Sequence, residues 1–232
     1  LQGAARHAIE RSMNELEFTF ADERLMALSS GALWWPAARI LCVSDLHLGK
    51  SERMARRGGP MLPPYEVQDT LMRLETDLAA TTPETVICLG DSFDDLAAAD
   101  ALHNEMVTWL TKLMAGRRWI WIEGNHDAGP VDLGGSHLAH YRHGPLQFRH
   151  IAEAGQDGEI SGHYHPKAKL PTRARRVTRP CFLVDDQRVI MPAYGTYTGG
   201  LHSDDSALTA LMQPEAHAIL LTTPPLRVAM PR

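Results

Sequence analysis

The run "RILCVSDLHLGK", residues 39–50, ends an apolar stretch with Asp45 and His47, a carboxylate and an imidazole two positions apart. In an extended segment residues i and i+2 point the same way, so this pair would face one point just past a strand end. Similar groups recur downstream: Asp91 in "GDSFDD", Asn125 and His126 in "EGNHD", His150 closing "LQFRH", and His163 and His165 in "GHYHP". Carboxylate and imidazole with one amide and no thiolate suit a borderline or moderately hard divalent cation. Mn2+, Fe2+ and Zn2+ all fit that set, whereas a cysteine-type structural zinc site does not. These residues are too many for one ion with a position open to substrate. They match two ions sharing a carboxylate, with one residue left to move a proton.

Each group follows a strand candidate. Apolar runs occupy 39–43, 85–89, 118–122, 146–150 and 158–161, and later ones lie at 181–184, 188–191 and 217–221. A hairpin of 18–20 and 24–36, turning over Ser29-Ser30-Gly31, precedes them. Between the early strands Val67, Leu71, Leu74 and Leu78 recur at helical spacing, as do Leu102, Met106, Trp109 and Leu113. Alternating strands and helices predict an α/β first half, and the strand-rich second half predicts a further sheet with antiparallel pairing. Ligand sites in α/β sheets lie beyond the carboxyl ends of strands, which is where these polar residues gather. Gly90, Gly124 and Gly162 immediately precede candidate ligands, where the chain must turn sharply and let a metal or phosphate approach.

Other polar groups read as structural. His137, His140 and His143 in "SHLAHYRH" lack neighbouring carboxylates and are expected on a surface loop. Trp119 and Trp121 alternate within one strand and are expected to fill one face of the core. Asp94 and Asp95 either join the metal shell or open a turn or a helix, and the second role is the expectation. Asp127 either orients the His126 imidazole or caps the following turn.

The ordered set "SDLHLG", "LGDSFDD", "EGNHD" and "SGHYHP" resembles the signature of calcineurin-like metallophosphoesterases over roughly residues 38–200. The resemblance implies a four-layer αββα sandwich, two mixed β-sheets flanked by helices. It implies a first metal held by Asp45, His47, Asp91 and His165, and a second held by Asp91, Asn125, His150 and His163, with Asp91 bridging. His126 resembles the family's non-ligand catalytic histidine, placed to meet the leaving group. "DLHLGKSERMARRGGPMLPPYE", "SGHYHP" and "MPAYGTYTGGL" further resemble a bacterial branch, the ligase-associated DNA damage response endonucleases. That resemblance implies manganese as the metal, single-stranded DNA as the substrate and a role in DNA repair beside DNA ligase, helicase and exonuclease proteins. A phosphodiester is a poor, negatively charged electrophile. Two divalent ions about 3.5–4 Å apart answer this by acidifying a shared water, whose hydroxide attacks phosphorus, and by clamping the non-bridging oxygens.

With 232 residues, 44% hydrophobic and 22% charged, the chain is expected to form one domain over 1–232. Within it lie an N-terminal extension and hairpin (about 1–37), a core (about 38–200) and a C-terminal strand region (201–232). No apolar run approaches the roughly 20 residues that span a bilayer, and the polar N-terminus has no export pattern, so a cytoplasmic protein is expected. Three scattered cysteines, with Cys42 and Cys88 inside apolar runs, fit a reducing compartment. The net charge is −5, yet Lys167, Lys169, Arg173, Arg175, Arg176 and Arg179 form a run without an acid, and Arg53, Arg56 and Arg57 form a smaller one. Arg53, Arg56, Arg57, Arg173, Arg175 and Arg176 are expected to meet substrate phosphates. A phosphoesterase for a small nucleotide or diphosphate would carry the same metal residues. A non-catalytic repair subunit would lack some of them, and none is missing.

Overall fold

Short runs of alternating apolar residues pair into two sheets, and the alternation decides what each face meets. In a computed structural model of the chain, the described residues are 14–232 apart from 60, 61, 64, 96, 99–101, 128, 130–132 and 172–175. Arg173, Arg175 and the first part of the N-terminal extension thus lie outside the described residues.

The first sheet contains β1 (Glu15–Phe20), β2 (Glu23–Leu28), β3 (Leu33–Trp35), β4 (Ile40–Val43), β5 (Thr85–Leu89), β6 (Arg118–Ile122) and β7 (Ser136–Leu138), side by side in chain order. Strands β1 to β4 pair antiparallel and β4 to β7 parallel. The second sheet is drawn from β8 (His140–His143), β9 (Leu146–Arg149), β10 (Glu159–Ser161), β11 (Lys167–Pro171), β12 (Arg176–Val184), β13 (Arg188–Ile190), β14 (His217–Leu220) and β15 (Leu226–Ala229). Its order is β15-β14-β12-β13-β10-β9-β8, with β11 paired to the first half of β12. The sheet has the antiparallel pairing expected of the second half and is mixed, because β9, β10 and β13 run parallel at its centre.

Helices α1 (Lys50–Arg56), α2 (Glu66–Thr81) and α3 (Asn104–Met114) fall between strands of the first sheet, and α4 (Ser206–Leu211) falls within the second half. On β5, Ile87 and Leu89 face the other sheet, where they join Ile120, Phe148, Ile160, Phe182 and Ile219 in the central core. The alternate residues Val86 and Cys88 face Leu71, Leu74 and Leu78 of α2 and Leu110 and Leu113 of α3. Trp119 and Trp121 lie on that helical side, both buried, as their alternation predicts. Leu208 of α4 packs on Cys181, Leu183 and Leu220 behind the second sheet. Helix, sheet, sheet and helix make the four-layer sandwich, an α/β fold. Among the described residues no helix is long and apolar enough to cross a membrane.

Several local expectations change. The run 24–36 is two strands, so the N-terminal hairpin is a three-stranded meander. Its first turn sits at Ala21 and Asp22, both with positive φ (48° and 63°), the conformation that matches the twist of tight hairpins. Leu102 precedes α3 rather than belonging to it, and Met106 and Trp109 are only partly buried. The His137–His143 segment is not a loop, since it supplies β7 and β8. His137 lies parallel to the Trp121 ring and His143 meets Trp35 edge-on, so these histidines do not converge.

Candidate metal centre

The loops after β4, β5, β6, β9 and β10 bring two groups of donors together. Asp45, His47 and His165 form one, and Asp91, His150 and His163 form the other; within each, the ligand atoms lie within 4.8 Å of one another. Asn125 adds to the second group, its Oδ1 3.0 Å from His150 Nε2.

In the first group the His47 ring is oriented from behind. Its Nδ1 lies 2.8 Å from Oδ1 of the fully buried Asp94, so Nδ1–H donates and Nε2 is free to face Asp45 and His165. Asp45 Oδ1 sits 2.9 Å from His165 Nε2. Apart from that ion-pair contact, Asp45 Oδ1, His47 Nε2 and His165 Nε2 are all buried without a hydrogen-bond partner among the described residues. Three neighbouring polar atoms left without partners are costly unless something satisfies them together. A divalent cation does so, and the donor chemistry fits one. The remaining oxygen, Asp45 Oδ2, accepts the His163 N–H at 3.0 Å and the Ser44 hydroxyl.

In the second group His150 Nδ1 donates to the Leu89 carbonyl at 2.8 Å, leaving Nε2 3.3 Å from both Asp91 Oδ2 and His163 Nδ1. Asp91 Oδ1 accepts the His126 N–H at 2.9 Å. The structure groups Asp91 with the second set alone, although the charge of His47 also acts on it. The electrostatics of the two groups are coupled. Burial alone would lift Asp91 and Asp45, but hydrogen bonds and histidine charges outweigh it and hold both carboxyls below the usual range. Burial would lower His150, yet its contact with Asp91 and the charges of Asp45 and Asp91 raise it to about 9. His163 is lowered by burial and by the neighbouring His150.

The backbone that presents these groups is strained. Asp45, His47, Asp91, His163 and His165 all have φ between 45° and 68°. That left-handed region is uncommon for residues with a Cβ, and it clusters at functional sites. Asp45 and His47 therefore converge through two such turns, and not through the extended geometry their spacing suggests. The preceding glycines make room: a Cβ on Gly124 would strike the Asp91 backbone and carboxylate, and one on Gly162 would strike Ser44 and Asp45.

His126 is partly buried, with Nδ1 3.0 Å from the Asp94 carbonyl and its ring 5.3 Å from that of His47. A carbonyl only accepts, so Nδ1 carries the proton and Nε2 is left for other chemistry. Among the described residues the Asp127 carboxylate does not meet this imidazole, and much of the turn that follows it lies outside them. That carboxylate accepts the N–H groups of Asp91 (3.0 Å), Ser92 (2.7 Å), Phe93 (3.2 Å) and Gly124 (3.1 Å), tying the β5 loop to the β6 loop. The expected turn role of Asp94 gives way to its hold on His47, and a fully buried carboxylate beside a histidine was not legible from spacing.

The basic residues divide. Arg53 is ion-paired with Asp94 at 2.5 Å, Arg56 with Glu52 at 2.7 Å and Asp95 at 2.8 Å, and Arg57 lies 3.9 Å from Asp95. Arg176 opens β12 and is exposed.

The chain belongs to the calcineurin-like phosphoesterases, whose family model matches residues 38–204. It is an enzyme of phosphate-ester hydrolysis with two candidate metal groups. Among solved structures it is similar to the nuclease MPE of Pseudomonas putida, at 28% identity and a TM-score of 0.71 over 92% of this chain and 100% of that one. No curated protein matches it.

Proposed function

We propose that the protein is a binuclear, manganese-dependent endonuclease that cuts single-stranded DNA. The observation that carries this reading is the meeting of two buried donor groups, one with three unpartnered atoms, in a phosphoesterase chain similar over nearly its whole length to a nuclease. Asp45, His47 and His165 would hold one cation and Asp91, Asn125, His150 and His163 the other, with Asp91 between them. Bound there, the cations would supply a nucleophilic oxygen at neutral pH and offset the phosphate charge.

The chain's own groups do the rest. Asp94 fixes the His47 ring, and Leu89 O fixes His150 so that each presents Nε2. His126 holds its Nδ1 proton on Asp94 O; as an imidazolium it would give the Nε2 proton to the departing sugar oxygen and return to the neutral ring. Residues outside the matched span complete the same sheets, which supports a single domain. A role in DNA repair beside DNA ligase, helicase and exonuclease proteins, in the cytoplasm, rests on the resemblance in sequence.

The test is direct. Purified protein with Mn2+ should linearise circular single-stranded DNA and hydrolyse a small phosphodiester. Hydrolysis of a monoester alone, with the circle left intact, would replace this reading with a small-molecule phosphatase.

A further inference from the structure

The loop after β13 is clasped by the metal centre. The Gly195 N–H donates to Asp45 O at 3.1 Å, and a Cβ at Gly195 would strike the Leu46 carbonyl; one at Gly200 would strike the carbonyl of His165. Thr196 is anchored by Asp69 at 2.5 Å and Arg73 at 3.0 Å. Between these fixed points stands Tyr197, a non-glycine held at φ 65°. Its ring lies 6.3 Å from that of Tyr65, at 52°, and Tyr65 is 55% exposed at the start of α2. Tyr197 is half-buried and hydrogen-bonded to the exposed Tyr65, so the pair presents aromatic faces on a strained backbone beside candidate catalytic residues.

A cationic face adjoins it. Directly paired strand residues share a face, so the register of β11 with β12 sets Lys167, Lys169, Arg176 and Thr178 together, while Ala168 and Leu170 turn to the core behind the sheet. Lys169 and Arg176 are exposed and have no ion-pair partner among the described residues. Lys167 Nζ donates to Thr198 O at 3.3 Å, joining this face to the tyrosine loop. The hairpin begins two residues after His165. By contrast, the arginines of α1 are already paired with carboxylates. A positive track beside aromatic faces is what an unpaired nucleic-acid strand requires, its phosphates on the cations and its bases on the rings.

We propose that Tyr197 and Tyr65 form a stacking platform for an unpaired base of the strand being cut, with Lys169 and Arg176 carrying phosphates that flank it. This rests on the functional reading above. A base inside a duplex cannot reach such a platform, so the device selects single strands.

The test compares an oligothymidylate with an abasic oligomer of equal length, both cut by the manganese-loaded enzyme. Tyr197→Ala and Tyr65→Ala should each raise KM for the oligothymidylate by about 5- to 150-fold, the span of one lost stack. KM for the abasic oligomer should not change. Tyr197→Phe keeps the ring face and should behave as wild type. Tyr197→Gly suits the backbone conformation and should fold while showing the same defect as Tyr197→Ala. Unchanged KM for the oligothymidylate in both alanine variants, or equal losses on both oligomers, would overturn the platform. Failure of the wild-type enzyme to cut either oligomer would instead overturn the nuclease reading.

Discussion

His47 can present Nε2 to Asp45 and His165 because Asp94 holds its other nitrogen, and against the penalty of burial the Asp94 carboxyl is held below its usual range by that hydrogen bond and by the charges of Lys50 and Arg53. Asp94→Ala should therefore weaken manganese binding about 10- to 100-fold without removing a ligand, as titration calorimetry would show. His126 is the opposite case. His126→Ala should leave metal stoichiometry intact and lower kcat by about 10²–10⁴-fold on a diester with a poor leaving group. Wild-type turnover in that variant would remove His126 from proton transfer. The donor residues were legible in the sequence because their types and order are unusual. Their supports were not, since Asp94 meets His47 across 47 positions and Asp127 meets Ser92 across 35, and either acid alone looks like a turn former.

At the scale of elements, strands deliver the donors and loops aim them. The strands β4, β5 and β6 could be read from their sequences because each is an apolar run buried on both faces. Strands β7 and β8 are polar, and α1 is seven residues without an apolar stripe; pairing and the loops around them decide these elements, so periodicity could not reveal them. The loops depend on Asp127. Asp127→Ala should strand several buried N–H groups and lower the unfolding free energy of the metal-free protein by roughly 2–4 kcal/mol, measurable by urea titration. Asp94→Ala acts on the first donor group through His47, whereas Asp127→Ala should loosen the second, because it unties Asp91 from Gly124 and the Asn125 beside it.

For the whole molecule, the metal centre joins two halves. Asp45, Asp91 and Asn125 follow strands of the first sheet, whereas His150, His163 and His165 follow strands of the second. Cations held there would act across the sandwich as well as on substrate. Manganese at 100 times its dissociation constant should add about 2.7 kcal/mol of stability per site, or roughly 5–10 °C in Tm for a chain of this size. Scanning calorimetry with and without a chelator would show it, and Asp91→Asn should shrink the difference. The clasp of Gly195 and Gly200 on the backbones of Asp45 and His165 has a thermodynamic corollary. If the proposed function holds, a nucleic-acid strand on that loop and the ions beneath it would occupy neighbouring sites on one framework, and whatever factor one gained from the other would be returned in equal measure. Scarce manganese and scarce substrate would then each help the enzyme to capture the other.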